Sequence, residues 1–365
     1  MNATKDNPII TYLKAIGIIL MVIGHSGCSI PYVVQIIYMF HMPLFFFVSG
    51  FCFKTKYIDA PFDFIWRRIK GIWLPYVKWS LVFLALHNVF FTLYIYNSQY
   101  GLKNVHLYQL SETTQRAISI LVTMSGHEPL LGGYWFLNAL FFGSLIAFGM
   151  MFLLKLIGGG KNVIPMIGGT LLLIVTILIN KYDLWVPFVH IGAQATVGGT
   201  FFMIGHVFSA YNIKRFNTCE MFFSMVTLII GSFFWPVSLA DGSYVNFTNK
   251  VIVPYIFTAV LAVWSLYSLP WKIINGRLKV IFEFIGRNTL TILTWHFLCF
   301  KVVSFLLIII FSLDIKHLGE FPILHDFAGK GWWIVYVFGG ILLPLSFTYC
   351  WHISQMKYFK GKHIA

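Results

Sequence analysis

Apolar runs of about 20 residues recur along the whole chain, separated by short polar stretches. Runs of that length cross a bilayer as helices. They are continuous rather than alternating, which argues against a membrane β-barrel. Charged residues make up 10% of the 365 residues, against about 25% in a soluble domain, too few to coat a water-facing surface. The sequence therefore predicts an all-α integral membrane protein, a single transmembrane domain over residues 1–365.

Ten spans are expected, at 9–27, 32–53, 72–96, 133–154, 163–180, 187–210, 218–238, 250–269, 288–312 and 331–353. With this bundle of about ten helices, 17 of the 26 Lys and Arg residues fall on one side, six on the other and three within spans. The positive-inside rule then places both termini in the cytoplasm. The same loops account for the net charge of +14 without invoking nucleic acid. The first apolar run is read as a retained helix rather than a signal peptide, since its n-region, with Lys5 beside Asp6, is weakly basic. Five scattered cysteines imply no disulfide framework, and no zinc, Walker or Rossmann pattern appears, so no metal is expected. Residues 57–71, amphipathic and basic, are expected at the cytoplasmic interface or folded back into the bundle. Residues 97–132 form the longest outside loop, with a short helix near 112–124.

Histidines in apolar spans are costly and functional by default. Lys14 and His25 are eleven residues apart, which puts them on one helix face with about 16 Å between them. Lys14 either faces the interior or snorkels to headgroups. His41 lies in the second span just before Pro43, where a kink opens space for a cavity or the ring caps a carbonyl. Arg67, Arg68 and Lys70 gather cations suited to phosphate, from a soluble polyanion or from anionic membrane lipid. Asn288, at the inner mouth of the ninth span with Glu283 and Arg287, is roughly on one face with His296. His127 and Glu128 precede the fourth span and could orient a hydroxyl acceptor or be ordinary loop residues. Trp135, in the adjoining GGYWF stretch, joins them as a candidate for acceptor binding.

The stretches LKAIGIILMVIGH, YMFHMPLFFFVSGFCFK, FIWRRIKGIWLPY, GGYWFLNALFF and FIGRNTLTILTWHF together resemble the membrane acyltransferase 3 family, and within it the fucose 4-O-acetylase-like branch. The likeness covers nearly the whole chain. It implies an O-acetyltransferase of the bacterial inner (cytoplasmic) membrane, moving an acetyl group from cytoplasmic acetyl-CoA to a sugar or polysaccharide acceptor. By this resemblance Lys14, Arg67, Arg68 and Lys70 bind CoA. His25 is the expected base, or carries the acyl group covalently. His41 orients His25 or binds the acceptor, and Asn288 or His296 stabilises the oxyanion. The family's Arg-rich motif has a lysine at one position here, Lys70.

A second class fits the same helices: an exporter or flippase for polysaccharide or lipid-linked sugar. Such a protein would need polar groups along both halves of its path and no CoA site. The Arg67–Lys70 cluster and the Lys14–His25 alignment favour the enzyme.

Overall fold

A computed structural model describes residues 7–160, 163–182, 193–239 and 249–362. The regular structure among them is helical throughout: α1 (Pro8–His25), α2 (Val33–Phe51), α3 (Pro61–Arg68), α4 (Leu74–Thr92), α5 (Leu110–Thr123), α6 (Trp135–Leu156), α7 (Ile164–Lys181), α8 (Ala193–Ala210), α9 (Thr218–Phe234), α10 (Asn249–Ser268), α11 (Gly276–Arg287), α12 (Thr289–Ile310), the single turn α13 (His325–Phe327) and α14 (Trp333–Lys362).

Among the described residues, seven helical stretches are long and apolar enough to cross a membrane: Pro8–His25, Val33–Phe51, Pro61–Thr92, Pro129–Leu156, Val251–Ser268, Thr289–Ile310 and His325–Cys350. The spans expected at 163–180 and 218–238 are shorter apolar helices, Ile164–Ile179 and Thr218–Phe234. The span expected at 187–210 is α8, and its residues 187–192 lie outside the described residues. So do both chain ends, 1–6 and 363–365.

Local sequence explains where the helices start. Asn7 caps α1, its side-chain oxygen accepting from the Ile9 amide at 3.1 Å, and Pro8 occupies the first turn where no donor is missed. The basic segment at 57–71 is helical from Pro61 onward and runs into α4 through a π-turn at Ile69–Trp73. Amphipathicity sets its register: Phe64 is buried while Arg67 and Lys70 remain exposed. The helix expected in the long loop is α5. Two of the loop tyrosines, Tyr96 and Tyr108, pack on the buried His87 of α4, the second with rings stacked 3.4 Å apart.

At the centre α2 packs against α8, α1 and α10. Small residues set how closely α2 and α8 approach, as is usual between helices in lipid. A Cβ on Gly50 would strike the Phe202 carbonyl oxygen, and one on Gly205 that of Phe47. Both obstacles are backbone and cannot swing aside. Gly205→Ala is therefore expected to destabilise the protein by about 1–3 kcal/mol, read as a lower midpoint of thermal unfolding in detergent.

Candidate functional site between two cavities

The polar centre is built by α1, α2 and α12. α1 is an uninterrupted helix, so Lys14 and His25 stand at opposite ends of one face. His25 is half-buried at the last turn of α1. Its ring centroid lies 5.6 Å from that of His296 and 5.0 Å from that of Phe297, both on α12. His41 is buried on α2. Tyr38 connects it to His25, with ring centroids 5.4 Å from His41 and 6.2 Å from His25, and its hydroxyl donates to the Gly24 carbonyl at 2.8 Å.

The backbone fixes two of the three imidazoles. His41 Nδ1 donates to the Ile37 carbonyl at 2.8 Å. His296 Nδ1 donates to the carbonyls of Ile292 and Leu293 at 3.1 and 3.0 Å. Each ring then presents Nε2 as a lone pair. Nε2 of His296 is fully buried and has no hydrogen-bond partner among the described residues. That is the signature of a group kept available rather than used up in holding the fold. His25 makes ring contacts but no hydrogen bond among the described residues, so its proton is not held by the backbone.

Two cavities approach this centre from opposite ends. The first, about 300 Å³, is lined by Lys14, Ser49, Cys52, Gly71 and Thr289 at one end and reaches Met21, Met42, Phe136 and Leu293 at the other. Arg68 braces its mouth, donating from Nη1 to Ser49 Oγ at 2.9 Å. Arg67 and Lys70 are exposed near that mouth, over the rings of Tyr57 and Trp66. Lys14 makes no ion pair among the described residues.

The second cavity, about 540 Å³, is lined by His25, Gly24, Tyr38, Gly132, Phe297 and Phe321, with Pro322, Ile323 and His325. The two share no lining residue. On α1, α2 and α12, and from the Pro129–Tyr134 turn into α6, the last residue of one and the first of the other are three or four positions apart: Met21 and Gly24, Met42 and Tyr38, Leu293 and Phe297, Phe136 and Gly132. At 1.5 Å per residue the wall between the cavities is about 5–6 Å thick. His41 and His296 fall within these intervals and His25 borders one of them, beside the buried, hydrogen-bonded pair Tyr134 and Thr294. Gly132 and Gly133 let the Pro129–Tyr134 turn press against α12: a Cβ on Gly133 would meet Leu293 at 2.8 Å, with His296 Cε1 at 4.0 Å.

Other expected site residues stand apart. Asn288 stands just before α12 without capping it; its Nδ2 donates back to the Phe284 carbonyl of α11 at 2.8 Å. Eight residues of helix separate it from His296, about 12 Å along the axis, so the two cannot serve one oxyanion. Glu128 is completely buried and lines neither cavity, its Oε2 2.6 Å from Nδ1 of His87. Nε2 of His87 donates to the His106 carbonyl at 2.9 Å. His127 Nδ1 lies 3.3 Å from the Tyr76 hydroxyl. Burial pushes its pKa down from 6.5 to about 4, so it is neutral near pH 7. Trp135 is half-buried at the start of α6 and lines neither cavity.

Tyr38 and His87 were not expected from the sequence. His87 carries the signal that marks His41, a histidine in an apolar span (LALHNVFF). Tyr38 has no such mark, because a tyrosine near a span end reads as an interfacial residue.

Fold and site together define a multi-pass membrane protein with a histidine centre buried between two opposed cavities. The family model described as an acyltransferase domain matches residues 7–354, and the chain belongs to the acyltransferase 3 family. It is a membrane acyltransferase. Comparison with curated proteins and with solved structures gives no match.

Proposed function

We propose that the protein is an O-acetyltransferase of the bacterial inner membrane, in the fucose 4-O-acetylase-like branch of its family. In this reading ten spans put both termini in the cytoplasm. It takes acetyl from cytoplasmic acetyl-CoA and passes it to a hydroxyl of a sugar in a cell-surface polysaccharide or its lipid-linked precursor. The observation that carries the reading is the thin wall of histidines between two cavities. The Lys14 cavity opens beside Arg67, Arg68 and Lys70, where the phosphates of CoA find cations. Its walls beyond Lys14 are mostly apolar and narrow, suited to an extended pantetheine arm ending in a thioester. The His25 cavity receives the sugar.

Each residue has a task in this scheme. His25 removes the proton from the acceptor hydroxyl as oxygen attacks the thioester carbonyl, and the CoA thiolate leaves and is protonated. His296 Nε2 takes up a proton from His25 or holds its ring in place. His41 orients Tyr38, which closes one side of the acceptor cavity. The competing export reading needs a polar route through the bundle. A mostly apolar inner cavity that shares no lining residue with the outer one speaks against it.

The deciding experiment adds radiolabelled acetyl-CoA to purified protein in nanodiscs with a saccharide acceptor pool. Acceptor-dependent CoA release supports the proposal; a protein that neither binds CoA nor turns it over refutes it. Arg68→Ala is expected to raise KM for acetyl-CoA on the order of 10-fold with kcat little changed, since a charge-assisted hydrogen bond to a phosphate far from the thioester strengthens binding in ground and transition states alike.

A further inference from the structure

A third cavity, about 550 Å³, adjoins the acceptor site. It is bounded by the turn between α1 and α2 (Ser29, Pro31), by the first turns of α2 (Val34, Gln35, Tyr38) and by Pro236–Ser238 beyond α9. Tyr38 lines both it and the His25 cavity, so one aromatic ring forms the partition. Each compartment alone is within the range of about 300–1,000 Å³ typical of small-molecule sites. Together they offer more room than one sugar ring needs.

The chemistry of the lining narrows the occupant. Among the described residues, no Lys, Arg, Asp or Glu lines either compartment, so the described lining offers no fixed charge to a phosphate or a carboxylate. The amide nitrogen of Gln35 donates to the Ser232 carbonyl, which leaves its side-chain oxygen as an acceptor. Ser29 adds a hydroxyl, and Tyr38, its proton committed to Gly24, presents its ring face. Apolar walls with a few hydrogen-bonding groups suit a neutral, hydroxyl-rich ring.

Resting on the acyl-transfer reading above, we infer that the third cavity is a subsite for the neighbouring sugar unit of the acceptor. The substrate is then a neutral glycan of two or more units rather than a monosaccharide. The phosphate link of any lipid carrier lies outside both compartments. Acylation consequently follows a glycosyl transfer that has already joined the two units. The subsite turns distant binding into turnover, because a unit held beyond Tyr38 fixes the reacting hydroxyl against His25.

The test uses the full-length protein in nanodiscs, radiolabelled acetyl-CoA, and cell-envelope polysaccharide from the source cells, partially hydrolysed and fractionated by size. Disaccharides and longer fractions are expected to exceed monosaccharides in kcat/KM by on the order of 10-fold or more. Val34→Trp, which fills the third cavity, should bring that ratio close to one. Gln35→Ala, a smaller change, should lower it if the larger variant fails to fold. Equal use of mono- and disaccharides by the unaltered protein, or a ratio unmoved by both substitutions, overturns the subsite and leaves acyl transfer standing. Absence of turnover with every fraction overturns acyl transfer and the subsite together.

Discussion

Replacing His25 with alanine is expected to lower kcat for acetyl transfer by about 10²–10⁴-fold, the usual contribution of a general base. A sugar hydroxyl at neutral pH is a poor nucleophile until its proton has somewhere to go. Of the three clustered histidines, His25 lines the proposed acceptor cavity, while His41 is buried and His296 lies behind it against Phe297; His325 lines that cavity too, from the segment beyond α12. Neither His41 nor His296 is placed to take over. Because proton removal occurs only on the way to the transition state, kcat and kcat/KM for the acceptor should fall together. CoA binding, followed by thermal shift, should persist, since Lys14 is eleven residues, about 16 Å, away along α1 and Arg68 contacts Ser49 at the mouth of the other cavity. Activity within a few-fold of the parent would remove His25 from the mechanism.

Glu128→Ala is expected to cost about 3–5 kcal/mol of stability, the usual penalty for stranding one member of a buried pair. Glu128 and His87 are both essentially inaccessible, at 0% and 1% exposure. His87 Nε2 is committed to His106, so removing Glu128 leaves Nδ1 facing an apolar gap. The loop that holds Tyr108 against His87 would loosen with it. The double variant His87→Leu with Glu128→Leu should recover much of the stability, because two apolar groups need no partner. Thermal unfolding in detergent of the two single variants and the double completes the cycle. Additive effects would mean that the pair is not a unit.

Much of this architecture could be read from the chain. Helix positions followed from apolar runs, because a bilayer leaves the backbone few other options. Lys14 and His25 aligned because both lie on one unbroken helix, where angular position and rise are simple arithmetic. The same arithmetic put Asn288 and His296 on one face about 12 Å apart, so only one of the two can serve a given oxyanion. What could not be read is which helix lies beside which. The pairing of His87 with Glu128 spans 41 positions and depends on α4 passing under the Pro129–Tyr134 turn. Without it, Glu128 looked like a residue at the mouth of the site. Likewise, nothing in a local stretch tells that Tyr38 will divide two cavities, since one of them borrows a wall from Pro236–Ser238.

The thin wall between the Lys14 and His25 cavities has an energetic consequence. In the proposed reaction an acyl group moves outward while the proton it replaces ends on the CoA thiol inside. The exchange is electroneutral, so a membrane voltage, worth about 2.3 kcal/mol per elementary charge per 100 mV, neither drives nor opposes it. A cell can therefore decorate its exterior with a cytoplasmic metabolite while drawing nothing from its ion gradients. In this scheme a barrier one helical turn thick, with Leu293 on one side and Phe297 on the other, lets it do so without opening a leak.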